Sequence, residues 1–572
     1  MKTLLELRKN LKSAPDDHVS LDLALLGDSA TQHLGQAIRG AGHEFGLNIN
    51  LWESDYDQID LQVFSANSDL YQSDRDAVMI FQSSEKLLKE FNKAKFEERS
   101  SFAELVLGRA KDLVRSIRSR MSSNILFCNF VEINDEVFGN YSNKVPDSFI
   151  FQLRRLNLAL MEYAQECPEL HIIDLSTIQN QMGRDAFFHS SIYINADMVL
   201  SLDAIPRVAM RVAGVLAAFK GFFKKCVIID LDNTTWGGII GDDGIEQIQI
   251  GSLGIGKAFT EFQYWIKKLK QRGIIVAVCS KNTDAIAKEP FEDHPDMVLS
   301  LEDISVFVAN WENKADNIRM IQKVLNIGFD SMVFLDDNPY EREVVRESLP
   351  AVCVPDLPED PAEYLNALYA LNLFETVSSS QEDRGRTKLY QLESKRVELK
   401  KDFANEEEFL ANLEMVAEVK PFDKFSFARI AQLSQRSNQF NLRTVRYTQP
   451  EVETIATSDS FLTLQLSLKD RLGDHGLVAV VIGEKDGDSL FIDTWLMSCR
   501  VLKRGMENFT LNCLAEAASL QGAKWLHGEY LPTPKNAIVA DHYEDLDFES
   551  TGEKWTLSLE TFQPRSTQIN KK

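Results

Sequence analysis

Apolar and polar positions along the chain fall into three regimes. In the first two hundred residues, short apolar runs at 23–26, 77–81 and 124–129 are separated by stretches of helical spacing, which predicts a three-layer α/β domain. From about 220 the same alternation returns. Runs at 226–229, 274–279 and 332–335 are apolar at nearly every position, as strands buried on both faces require, and a helix is expected at 258–271 between the first two. Beyond 415 the texture changes to strands at 461–468, 476–482 and 490–496, followed by a helix at 509–520, an α+β pattern. Mixed charges at helical spacing between 381 and 414 predict a connecting helix with a solvated face.

In the middle region each apolar run stops abruptly in polar residues. The first ends in Asp230-Leu231-Asp232-Asn233-Thr234, the second in Ser280-Lys281-Asn282 and the third in Asp336-Asp337-Asn338, with Lys314 opening a helical pattern between the last two. Ligands of open α/β sheets bind at the carboxyl ends of the strands. Asp230 and Asp232 project to the same side of an extended chain, so both can address one phosphate or one cation. Asp232 as a mere helix cap, and Lys314 as a solvated helix start, are the plainer alternatives.

Strand ends carrying Asp-x-Asp-x-Thr, Ser, Lys and Asp-Asp in that order resemble the haloacid dehalogenase (HAD) phosphohydrolase superfamily. The resemblance implies that Asp230 is a nucleophile forming an aspartyl phosphate and that Asp232 acts as general acid and then base. It places Thr234, Ser280, Lys281, Asn282 and Lys314 on the phosphate, and a Mg²⁺ ion on Asp230, Asp232, Asp336 and Asp337. About fifty residues separate Asp230 from Ser280, and about thirty-four separate Ser280 from Lys314, too few for an inserted cap domain. An uncapped core suits a bulky substrate, such as a group on a protein.

Composition narrows the class. A length of 572 residues predicts three domains. A net charge of −24 argues against nucleic acid as a partner. No apolar run is long enough for a membrane span or a signal peptide, and the seven cysteines lack metal-ligand spacing, so a cytoplasmic chain with free thiols is expected.

The flanking regions carry resemblances of their own. Gly27-Asp28-Ser29 after a strand resembles the serine loop of SGNH hydrolases. The late Asp-x-x-His is missing, since Asp185 and His189 stand one residue too far apart, so a retired hydrolase fold used for docking is the expectation. Near the other end, residues 500–505, with Arg500 and Gly505 ahead of a helix, resemble the pyrophosphate loop of GNAT acyltransferases, with Lys503 where a glycine is usual. The stretch 530–536 is also GNAT-like.

Together the parts resemble the long-form FkbH-like proteins, HAD subfamily IIIC. The resemblance rests also on Ser434-Gln435-Arg436-Ser437-Asn438-Gln439-Phe440-Asn441, on Asp470-Arg471-Leu472-Gly473-Asp474-His475-Gly476 and on Leu496-Met497-Ser498-Cys499-Arg500. Thr235 departs from the apolar residue usual beside the nucleophile. The implied architecture is α/β in three domains: SGNH-like at 1–205, uncapped HAD-like Rossmannoid at 220–375, and, after the 381–414 connection, GNAT-like at 415–565. The implied activity removes phosphate from 1,3-bisphosphoglycerate, a small phosphorylated three-carbon substrate, and loads the glyceryl group on the phosphopantetheine thiol of an acyl carrier protein. A plain Mg²⁺-dependent phosphatase and a non-catalytic carrier-binding scaffold are the alternatives. Cys499, next to Arg500 and near a helix start, is a candidate glyceryl carrier, or else a small residue at a strand end. Asn438 and Asn441 are candidate substrate contacts or ordinary turn formers, and Arg500, Lys503 and Arg504 a candidate basic patch for the carrier.

Overall fold

The computed structural model describes residues 2–12, 15, 18–378, 383, 385–400, 402–533, 535–552 and 554–572; Gln381 and Pro534 lie outside the described residues. The chain forms two compact units, Met1–Lys220 and Gly221–Lys572. Among the described residues no helix is long and apolar enough to cross a membrane.

The first unit is built on a five-stranded parallel sheet in the order β2-β1-β3-β4-β5, where β1 is Val19–Gly27, β2 Leu47–Glu53, β3 Ala77–Phe81, β4 Asn124–Cys128 and β5 Leu170–Ile173. β2 and β5 lie at the edges and are partly exposed, which is why neither shows an uninterrupted apolar run. The Ala204–Phe219 helix packs on the Gln32–Gly42 helix, so it belongs to this unit and does not serve as a link. Among the described residues Ser29 Oγ is buried without a hydrogen-bond partner, and Asp185 and His189 are both exposed.

The second unit contains two sheets. The smaller has four parallel strands in the order β8-β7-β6-β9, with β6 at Cys226–Ile229, β7 at Ile275–Ser280, β8 at Val306–Ala309 and β9 at Met332–Leu335. β6 and β9 are buried along their whole length. Between β6 and β7 the chain makes short turns and the Gly256–Gln271 helix, with no inserted domain. The larger sheet is mixed and eight-stranded, in the order β15-β16-β14-β13-β12-β11-β10-β17. Its long antiparallel centre is β11 (Phe461–Asp470), β12 (Gly473–Asp486) and β13 (Ser489–Met497), beside β10 (Val416–Lys420), β14 (Trp525–Glu529), β15 (Glu549–Ser550), β16 (Lys554–Ser558) and β17 (Asn570–Lys571).

The Arg386–Lys400 helix keeps a solvated charged face at Lys388, Lys395 and Lys400, but its opposite face is buried and also carries charge. Tyr390, Glu393 and Arg396 on it are buried, and Arg396 pairs with Glu393 at 2.7 Å and with Asp470 at 2.8 Å. His475 Nε2 meets the same Asp470 at 2.9 Å, and Arg504 pairs with Glu393. Charges at helical spacing look solvated in sequence; here the buried Glu393 and Arg396 are neutralised by each other, one turn apart, and by Arg504 and Asp470, more than seventy residues away.

β13 and β14 run parallel but pair only at Ser489–Phe491 with Trp525–His527. Farther along, the chain itself fills the space between them. Met497 N donates to Phe440 O at 3.2 Å, Leu442 N to Trp495 O at 3.4 Å, and Leu531 N to Leu442 O at 2.9 Å. Arg443 clamps the same gap by pairing with Asp493 of β13 and Glu529 of β14.

Candidate functional site

The carboxyl end of the four-stranded sheet gathers charge. β6 delivers Asp230, and the chain reverses at once: Asn233 adopts a left-handed φ of 55°, which asparagine tolerates, and the amides of Thr234, Thr235 and Trp236 all donate to Leu231 O. Thr235 Oγ1 donates to Asp230 O at 2.6 Å, so the departure beside the expected nucleophile becomes a bond that fixes its backbone.

Lys314, at the first turn of the Lys314–Leu325 helix, is 2% exposed and lies between two carboxylates, 2.9 Å from Asp230 and 2.5 Å from Asp336. Burial alone would lower its pKa; Asp230 and Asp336 outweigh that and push it up. Asp336 is pushed up to about 7, first by burial and then by Asp230, because two buried carboxylates share one ammonium. Asp230, Asp336 and Asp337 bring one oxygen each within 4.8 Å of one another, and Asp230 Oδ1 is buried with no hydrogen-bond partner among the described residues. Three hard oxygen donors, one of them unsatisfied, fit a Mg²⁺-type cation.

Asp232 corrects one expectation. It is not part of that carboxylate group: Oδ1 accepts from Trp236 Nε1 at 2.9 Å and from Ile240 N at 3.1 Å, while Oδ2 accepts from Asn282 Nδ2 at 3.2 Å. Burial raises its pKa, which favours the protonated form that an acid requires.

The residues expected on phosphate divide. Ser280 closes β7 and is buried beside this centre's strand ends. Thr234 is fully buried and its hydroxyl is spent on Asp337, donating to Oδ1 and accepting from the Asp337 amide, both at 3.0 Å; it positions a carboxylate and does not face substrate. Lys281 is held by Glu341 at 2.6 Å, and Asn282 holds Asp232. Sequence reasoning missed Arg342, a buried guanidinium that donates to the carbonyls of Asp336 (2.8 Å) and Asp337 (2.6 Å). Its position one to two turns after the Asp-Asp pair, on the Pro339–Ser348 helix, was the available signal.

Cys499, Arg500, Asn438 and Asn441 are not brought to this centre. The helix that carries Lys314 at one end is capped at the other by Asn326, whose Nδ2 donates to Cys499 O at 2.6 Å, so about 18 Å of helix separates the two. Asn441 is fully buried in a turn, accepting from Thr444 N and pairing with Leu496, which corrects its reading as a substrate contact. Both ends of the Asn438 amide are engaged, with Gly221 O and with Arg446. Nor do Arg500, Lys503 and Arg504 form a surface patch, since Arg500 is buried and Arg504 pairs with buried Glu393. Lys503 takes the left-handed φ of 61° that the usual glycine would favour, and its amide donates to Glu507 at 3.0 Å. That carboxylate therefore holds a loop amide ahead of the Met506–Leu520 helix.

A family model described as the FkbH N-terminal domain matches residues 22–217. A crystal structure of the N-terminal part of BF1531 from Bacteroides fragilis, containing a phosphatase domain complexed with Mg, is 52% identical, covers 66% of this chain and 100% of its own, and superposes with a TM-score of 0.64. The chain belongs to the FkbH-like family. The chain has a multi-domain α/β architecture. The ribosomal-protein-S18-alanine N-acetyltransferase of Escherichia coli (15% identity, 25% of this chain and 94% of its own, TM-score 0.20) and a GNAT-family acetyltransferase of Streptococcus pneumoniae (13%, 25% and 98%, 0.21) also match. No curated protein matches the chain.

Proposed function

We propose that this FkbH-like protein is a Mg²⁺-dependent phosphatase and acyl transferase. It removes phosphate from a small three-carbon acyl phosphate of the 1,3-bisphosphoglycerate type and loads the glyceryl group on the phosphopantetheine thiol of an acyl carrier protein. The observation that carries the phosphatase half is Lys314 bridging Asp230 and Asp336 at the ends of adjacent parallel strands, with Asp337 in reach and one Asp230 oxygen unsatisfied. The Mg-bound phosphatase domain of the Bacteroides fragilis relative supports the same reading.

Asp230 attacks phosphorus, forming an aspartyl phosphate, while Asp232 protonates the leaving oxygen. Asp232 then takes a proton from the water that hydrolyses the aspartyl phosphate. Trp236, Ile240 and Asn282 hold Asp232 for both transfers. Lys314 offsets charge at the nucleophile as the phosphate approaches. Held by Asp230, Asp336 and Asp337, a bound Mg²⁺ would supply the positive charge that lets an anionic phosphate meet a carboxylate. The acyl phosphate itself is open to direct attack by the carrier's thiolate.

Intact-protein mass spectrometry of a phosphopantetheinylated carrier, incubated with this protein, Mg²⁺ and 1,3-bisphosphoglycerate, tests both halves. The expected result is a mass gain of one unphosphorylated glyceryl group. No gain, with phosphate still released from small esters, would leave a plain phosphatase; carrier binding without either reaction would leave a scaffold.

A further inference from the structure

A cavity of about 940 Å³ lies at the amino end of the same four-stranded sheet. Lys225, the residue before β6, lines it, with the 327–331 turn before β9, the Arg386–Lys400 helix, and the 437–440 and 497–500 segments. In a chain of net charge −24, seven cationic side chains face this cavity against four carboxylates among the described residues. Most are neutralised: Arg386 and Arg436 share Asp383, Lys535 meets Asp330, and Lys420 meets Asp423.

Arg500 differs. It is 9% exposed, and no carboxylate pairs with it among the described residues. Nε donates to Ser498 Oγ at 3.2 Å and Nη2 to His475 O at 3.5 Å, whereas Nη1 is buried with no partner among the described residues. A buried guanidinium N–H without an acceptor is costly, and an anion is the partner that removes the cost. The Arg396–Asp470–His475 cluster holds the carbonyl against which Arg500 leans. Leu389, Leu433, Phe440, Leu477 and Met497 supply apolar wall, and the half-exposed Cys499 opens on the same space. The volume is that of a site for a ligand of drug size.

One other place for a phosphate-bearing arm is closed: the gap between β13 and β14 is filled by 440–442. We propose that the cavity is a binding chamber for a phosphopantetheine-type arm, its phosphate on Arg500 and its chain along the apolar wall toward Cys499. This deepens the transfer reading and rests on it: dephosphorylation and arm binding occupy opposite edges of one sheet. Lys225, pushed down to about 8 by burial, stands in the chamber as a group able to exchange a proton with a thiol there.

The test uses the full chain and the rate at which iodoacetamide labels Cys499, read by peptide mass spectrometry. Saturating 4′-phosphopantetheine should slow labelling at least about tenfold, while pantetheine without phosphate should need about tenfold more ligand for the same protection. Arg500→Met should abolish that preference and Arg500→Lys should retain part of it, which separates lost recognition from lost folding. A phosphopantetheinylated carrier protein should protect with the same dependence on Arg500 if the arm enters from a carrier; protection by the free arm alone would assign the chamber to a small ligand. Inorganic phosphate alone should protect weakly. Equal protection in Arg500→Met, or no protection by any form of the arm, would overturn the proposal. Protection should persist in Asp230→Asn, so a failure of the phosphatase reading and a failure of the chamber are read separately.

Discussion

The two edges of the four-stranded sheet are built on opposite electrostatic plans. At the carboxyl edge three carboxylates crowd one buried lysine, so the surplus is negative and a cation is wanted. At the amino edge, among the described residues, cations outnumber carboxylates and guanidinium nitrogens of Arg436 and Arg500 are left without a partner, so an anion is wanted. The same strands and the same Lys314–Leu325 helix support both. On the function proposed above, the parallel sheet would separate two kinds of ligand by the length of its own elements, so that chemistry on the phosphate need not share space with an arm that carries a thiol.

The largest effect expected is on the carboxyl edge. Asp230→Asn should reduce Mg²⁺-dependent phosphate release from a small ester by at least about a thousandfold, measured by a phosphate-release assay, since the nucleophile is removed. A residual rate within tenfold of the parent would break the assignment of that edge.

Matched substitutions then sharpen the contrast. Lys314→Met leaves two buried carboxylates without their ammonium, and Arg396→Met leaves Asp470 with His475 and the amides of Leu472 and Gly473; each should cost about 3–5 kcal/mol in denaturant unfolding. Mg²⁺ should recover part of the loss in Lys314→Met and none in Arg396→Met, because only the first leaves an oxygen cluster fit for a cation.

A pH titration probes the same surplus more gently. The Asp336 carboxyl rises from 3.8 to about 7 on folding, so between those values the folded chain binds more protons than the unfolded one and stability falls as pH rises. In EDTA the unfolding free energy should decline by a few kcal/mol across that window. Asp336→Asn should flatten the decline. The smallest effect is Thr235→Val, which removes the bond to Asp230 O and should cost about 1–2 kcal/mol.

Much of the carboxyl edge was legible in sequence because strand ends are local. An apolar run that stops in Asp-x-Asp announces both the strand and the direction of its side chains, and Asp230, Lys314, Asp336 and Asp337 do converge. What sequence misjudged there was division of labour: Thr234 and Lys281 are used up on Asp337 and Glu341, and Asp232 stands apart from the other carboxylates, all consequences of who lies nearest in space. The amino edge was far less legible. Its chamber is assembled from segments as distant as Lys225, Tyr390 and Arg500, and the helix that lines it looked solvated because its partners Asp470 and Arg504 lie far along the chain. The filled gap beside β13 was likewise invisible, since 440–442 has no strand pattern of its own.

The central claim is that Asp230 receives the phosphoryl group and Asp232 manages the protons. The most direct measurement incubates Asp232→Asn protein with Mg²⁺ and a small acyl phosphate, quenches it in acid and maps the phosphoryl group by peptide mass spectrometry. A phosphoryl mass on the peptide carrying Asp230, absent when Asp230 is also replaced by Asn, is the predicted result. Phosphate release that persists in Asp230→Asn, with no labelled peptide in any variant, would contradict it.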